Sequence, residues 1–162
     1  QPDIVESIES VMKETGIKPK NLTLEVTESL AINDMERMQE ILDRIKKLGV
    51  RIALDDFGTG YSSLNHIREI PFDVIKVDQS FIRDLERDEY AKSFIRMVGE
   101  LAEAIGVNVC IEGVETKRQY EILSEMCVLL GQGYYFDRPM ERQAFEKKYT
   151  PKLKRRTRKT SD

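Results

Sequence analysis

Apolar positions in this chain follow two alternating periods. Longer blocks place them three and four residues apart, as one face of a helix does, and short runs between them alternate like strands. Ile4, Val5, Ile8, Val11 and Met12 predict a helix over 3–15 that Gly16 stops. Residues 22–28 (LTLEVTE) alternate as a strand. Met38, Ile41, Leu42, Ile45 and Leu48 share one face of a helix over 34–48, with Asn33 as its cap and Gly49 at its end. A strand at 51–55, a short helix at 62–69 and a strand at 73–77 follow. A helix over 90–105 carries Phe94, Ile95, Val98, Leu101, Ala102 and Ile105, and Gly106 ends it. Next come a strand at 107–112 and a helix over 116–126 opened by a Thr116/Gln119 capping box. A last strand covers 128–133 and a last helix 141–149.

Strands alternating with helices imply a parallel α/β sheet, and side-chain phase narrows the choice. Leu22, Leu24 and Val26 oppose Thr23, Glu25 and Thr27; Ile52 and Leu54 oppose Ala53 and Asp55. Ile75 and Val77 oppose Val74 and Lys76; Val107, Val109 and Ile111 oppose Asn108, Cys110 and Glu112. One face of each strand is aliphatic and suits helices. The other is smaller or more polar and ends near a charge. A doubly wound sheet buries both faces and reads aliphatic throughout. The polar second face fits the inside of a (β/α)8 barrel, whose active sites lie at the C-terminal rim.

Length and composition (162 residues, 40% hydrophobic, 34% charged) describe one soluble domain or a large part of one. No apolar run reaches the roughly 20 residues a membrane helix needs. Cys110 and Cys127 show no metal-ligand spacing and read as reduced thiols in a cytosolic protein. Net charge is −3, but residues 147–162 sum to +7, leaving −10 for the rest. An acidic body argues against binding a nucleic-acid polymer. The basic segment 147–162 reads as a solvated, disordered tail.

Candidate chemistry concentrates in RIALDDFGTGYSSL (51–64), where a strand ends in two adjacent carboxylates. Asp55 and Asp56 repel each other unless a proton or cation intervenes. Hard oxygen ligands favour Mg²⁺, Mn²⁺ or Ca²⁺ over Zn²⁺. Consecutive strands bring Glu25, Asp55, Lys76 and Glu112 toward one rim, and the fifth adds Gln132. Any one alone could be an exposed strand-end charge; four in matching phase point to a site. Several carboxylates in one mouth need cations to stay ionised, and a two-metal centre suits phosphodiester hydrolysis. His66, the one histidine, reads as an ordinary helix residue. Gly58 and Gly60 suit either close approach of a phosphate or a plain turn.

The segments LEVTE (24–28), DDFGTGYSSL (55–64), IKVD (75–78), IEGVET (111–116) and GQGYYFDRP (131–139) resemble, in order and spacing, the EAL-domain family of cyclic-di-GMP phosphodiesterases across residues 1–145. The resemblance implies a TIM-like barrel, two Mg²⁺ or Mn²⁺ ions, and cyclic di-GMP (c-di-GMP) cut to linear pGpG. It makes Glu25, Asp55 and Asp56 metal ligands, Glu112 a ligand or general base, and Lys76 a contact to the attacking water. Gln132 becomes a pocket residue. Glu115 supports the second metal site or the loop 57–64, and Glu28 anchors that loop. A homodimer and upstream sensor or diguanylate cyclase domains are also implied.

The Glu-Ala-Leu motif and a later Asn-bearing strand of the family are absent here. The expectation is therefore the C-terminal part of an EAL domain over 1–146, with five strands of the barrel and little activity on its own. A non-catalytic c-di-GMP receptor and a dimerisation module stand as alternatives.

Overall fold

The structure, a computed structural model, describes residues 3–28, 35–60, 70–126 and 130–157. Its strands are β1 (Thr23–Thr27), β2 (Arg51–Phe57), β3 (Val74–Val77), β4 (Asn108–Ile111) and β5 (Leu130–Gly131). They pair in parallel and in sequence order. The helices are α1 (Ile4–Thr15), α2 (Met35–Lys47), α3 (Glu89–Ile105), α4 (Lys117–Glu125) and α5 (Arg142–Thr157). Among the described residues, β1 and β5 each have a strand neighbour on one side only.

Local chemistry sets the boundaries. Asp3 accepts the Val5 N–H at 3.1 Å and starts α1, which Gly16 ends at φ 67°. Asp88 accepts N–H groups of Tyr90 and Ala91 and starts α3, which Gly106 ends at φ 73°. Asp73 fixes the entry of β2 beside β3: its carboxylate accepts the Ile52 N–H at 2.7 Å and pairs with Lys46 at 2.6 Å.

The aliphatic face of the sheet carries the core. Ile52, Leu54, Ile75, Val77, Val109 and Ile111 are buried, as are Leu42 and Ile45 of α2, Ile95 and Val98 of α3, and Ile122 and Leu123 of α4. Each such side chain contributes about 1.5–3 kcal/mol by leaving water. This layer makes the opposite face a fixed platform.

Three elements differ from the sequence expectation. β2 runs to Phe57 rather than stopping at 55, and its pairing with β3 slips between Leu54 and Phe57. Among the described residues β5 covers Leu130–Gly131 and stops short of 133; the expected start at 128 lies outside them. α5 continues past 149 to Thr157, so helix enters the segment expected to be a structureless tail; Lys, Arg and Leu there are good helix formers. The helix expected at 62–69, with His66, and the residue Cys127 lie outside the described residues. No helix among the described residues is long and apolar enough to cross a membrane.

Candidate active site

The parallel register stacks the inner face in layers. Glu25 pairs in register with Ala53, and Ala53 with Val74; one layer higher, Thr27 pairs with Asp55 and Lys76 with Cys110. Glu112 follows β4 directly, its N–H donating to the Val77 carbonyl at 3.1 Å. Lys76 therefore rises through the middle of the acidic face. Its Nζ lies 2.8 Å from Asp55 Oδ1, 2.8 Å from Glu112 Oε1 and 3.0 Å from Glu25 Oε2. The Lys76 side chain is 7% exposed, whereas that of Glu25 is 51% exposed. Burial alone would lower the lysine pKa. The contacts from Asp55, Glu112 and Glu25 outweigh it and hold the ammonium well above its ordinary value.

A strand normally sends consecutive side chains to opposite faces. Asp55 and Asp56 escape that rule through a bulge. Two residues separate Leu54 from Phe57 on β2, but only one separates their partners Ile75 and Val77 on β3. Asp56 occupies the extra place with φ 57°, the left-handed region. As a result, carboxylate oxygens of Asp55, Asp56 and Glu112 all lie within 4.8 Å of one another.

This donor set fits a divalent cation. All three ligands are hard oxygens. Asp55 Oδ1 is buried and receives no well-aligned hydrogen bond, although the Lys76 charge is adjacent. Four carboxylates face one ammonium, so the mouth keeps an excess of negative charge. Among the described residues, Glu25 and Glu115 stand outside the three-carboxylate group. Glu25 serves Lys76. Glu115 is exposed and lines an adjoining cavity of about 270 Å³ with Gln79, Glu112, Gln132 and Tyr134. The backbone of Gln132 continues the pairing, donating to the Ile111 carbonyl at 2.8 Å and accepting from Val114 at 3.1 Å. Its exposed side chain stands at that cavity.

Glu28 is 2% exposed and accepts the Gly58 N–H at 3.0 Å, directly behind the two aspartates. Gly58, at φ 97°, backs onto the stacked rings of Phe81 and Phe94; a Cβ there would lie 2.6 Å from Phe81. Gly60 lies against the Glu28 carboxylate. These contacts replace the freely turning loop that the glycines alone suggested. Sequence reading also missed Gln79 and gave Gln119 only its capping role, although it is buried and bonds beyond its own helix.

The match to known proteins agrees with this geometry. The family model for the EAL domain matches residues 1–139. Cyclic di-GMP phosphodiesterase PdeR of Escherichia coli K12 is 35% identical over 152 residues, 94% of this chain and 23% of the relative. The MucR phosphodiesterase of Pseudomonas aeruginosa, solved with c-di-GMP, superposes with a TM-score of 0.85 at 33% identity, over 90% of this chain and 59% of that one. BlrP1 of Klebsiella pneumoniae, solved with manganese and c-di-GMP, gives a TM-score of 0.81 at 32% identity, over 86% and 36%. The chain spans about a fifth of the length of the curated relatives it matches. Its parallel strands are those of a TIM-like α/β barrel, and a divalent metal is implied by the carboxylate set and by the calcium and manganese complexes of BlrP1. With the family model matched across the motifs that build the mouth, this chain belongs to the EAL domain family.

Proposed function

We propose that this chain supplies the acidic half of a c-di-GMP phosphodiesterase site, with Asp55, Asp56 and Glu112 holding Mg²⁺ or Mn²⁺. The observation that carries the reading is the three-carboxylate group beside a buried, triply paired lysine. A cyclic dinucleotide brings two phosphate charges into a mouth already negative, so a cation is needed for the two to meet. The bound cation supplies Lewis-acid stabilisation of charge on the phosphoryl oxygens.

The chain's own residues do the rest. Lys76 stays protonated at neutral pH, so it donates hydrogen bonds and is not the base; it orients the attacking water. Glu112, 17% exposed, is either a ligand of the cation or, where it is free of it, the group that takes a proton from that water. One P–O bond forms to water and the bond to the 3′ oxygen breaks. The leaving oxygen gains a proton from solvent, and linear pGpG is released. Glu28 holds the loop behind the aspartates, Glu115 supports the cluster from the side, and Gln132 contacts the nucleotide. Cytoplasmic action, a homodimer and upstream regulatory or cyclase domains complete the proposal; the relative MucR is named as bifunctional.

The test is Asp55→Asn in a protein carrying the complete domain, with pGpG followed by chromatography in Mn²⁺. Turnover should disappear while the fold persists, since Asn keeps the shape of the side chain and Lys76 keeps Glu25 and Glu112 as partners. Unchanged turnover would remove Asp55 from the reaction. Tight c-di-GMP binding without turnover in the unmutated protein would instead favour a receptor.

A further inference from the structure

The segment that follows β4 holds Glu112 and Glu115; backbone bonds to Val77 and Gln132 hold Glu112 and Val114 within it. At Glu115 and Thr116 the fastening comes from a side chain of α4. Gln119 is 6% exposed, and its Oε1 accepts two backbone N–H groups, from Glu115 at 2.8 Å and Thr116 at 3.0 Å. Its Nε2 donates to the Ile82 carbonyl at 2.9 Å, a contact between groups 37 residues apart. The Gln119 N–H in turn bonds the Thr116 hydroxyl at 3.1 Å. One buried amide thus ties three pieces together: the carboxylate-bearing segment, α4, and the turn that follows β3. The same turn presses on the same segment at Gly113, where a Cβ would meet Gln79 Cβ at 2.5 Å. A capping box alone needs only the two bonds with Thr116; those to Glu115 and Ile82 go beyond it.

From this, we infer that Gln119 is a positioning residue for the metal site: it sets where Glu112 stands relative to Asp55 and Asp56, without touching metal or substrate. The inference rests on the metal reading above. Partners behind first ligands are worth about 10–100-fold in metal affinity. A carboxylate on an unfastened segment still binds, but must first be ordered.

The experiment is Mn²⁺ titration of a protein carrying the complete domain, following free Mn²⁺ by electron paramagnetic resonance, with amide hydrogen exchange on the same samples. Gln119→Met keeps the volume and loses all three side-chain bonds. Exchange at Glu115 and Thr116 should rise at least about tenfold, and the Mn²⁺ Kd should rise by about the same factor. Gln119→Glu keeps the two accepted bonds and loses the donation to Ile82; it is the variant to use if the first does not fold, and should weaken Mn²⁺ by a smaller factor. Faster exchange with an unchanged Kd would overturn the inference and leave Gln119 a plain cap. A wild-type chain that binds no Mn²⁺ would overturn the metal reading, and this inference with it; that result differs from a variant-specific failure.

Discussion

Replacing Lys76 by Met removes the one cation from among three carboxylates. At 2.8 Å and an effective permittivity near 20, each contact contributes about 6 kcal/mol of gross attraction. Desolvation of the ammonium and of its partners offsets most of it. What remains when one side of a buried ion pair is deleted is about 3–5 kcal/mol. The half-exposed Glu25 is screened, which favours the lower end. A loss of about 3 kcal/mol lowers the melting temperature by about 6–12 °C in a chain of this size. The assay is thermal unfolding in EDTA and then in Mn²⁺. In EDTA the gap to wild type should appear in full. Mn²⁺ at about 100 times its Kd stabilises either protein by about 2.7 kcal/mol, so both melting temperatures should rise and the gap should narrow only by as much as the variant, freed of the competing ammonium, binds the ion more tightly. The pH dependence has a definite sign. The folded-state pKa of Lys76 lies above its ordinary 10.5, so the stabilisation is complete below that value and fades as pH rises through the raised one. The gap should therefore be constant between neutrality and about pH 10 and shrink only in stronger alkali. A loss under about 1 kcal/mol in EDTA, the range of an exposed pair, would refute the reasoning.

Gly58→Ala forces a side chain into a left-handed position and against the Phe81 ring, so it should cost about 2–4 kcal/mol in urea unfolding; under about 0.5 kcal/mol would mean the loop moves aside freely. Among the described residues β1 and β5 have a strand neighbour on one side only, which leaves two edges open to pairing, and Leu130 is 43% exposed at one of them. The isolated chain should self-associate in light scattering at micromolar concentration, and a stable monomer with cooperative unfolding would refute this.

The helix ends were legible because they rest on local chemistry: Gly16 and Gly106 stop α1 and α3 by adopting a conformation other residues avoid. Strand phase was legible because a buried aliphatic face and a polar face cannot be exchanged without cost. Together these placed Glu25, Asp55, Lys76 and Glu112 on one side. The position of Asp56 beside Asp55 was not derivable from alternation, which assigns neighbours to opposite faces; it depends on a bulge created by pairing with a distant strand. Gln119 carried a visible capping signal, but its bond to Ile82 exists only once α4 packs on the turn after β3. The reach of α5 was underestimated because a run of positive charge was weighed above helix propensity.

The bulge in β2 has a hereditary meaning. Ile52, Leu54 and Phe57 all face the buried side, as they would in a plain strand one residue shorter, and Phe57 still stacks on Phe94 with ring centroids 6.0 Å apart. The second aspartate is thus an insertion that the core does not register. Loss of a single codon at 55–56 would restore an ordinary ladder and take one carboxylate from the three-carboxylate group, leaving one aspartate with Glu112 and Glu25 around Lys76. A single deletion there would thus remove a hard oxygen ligand from the mouth while the buried layer keeps its packing.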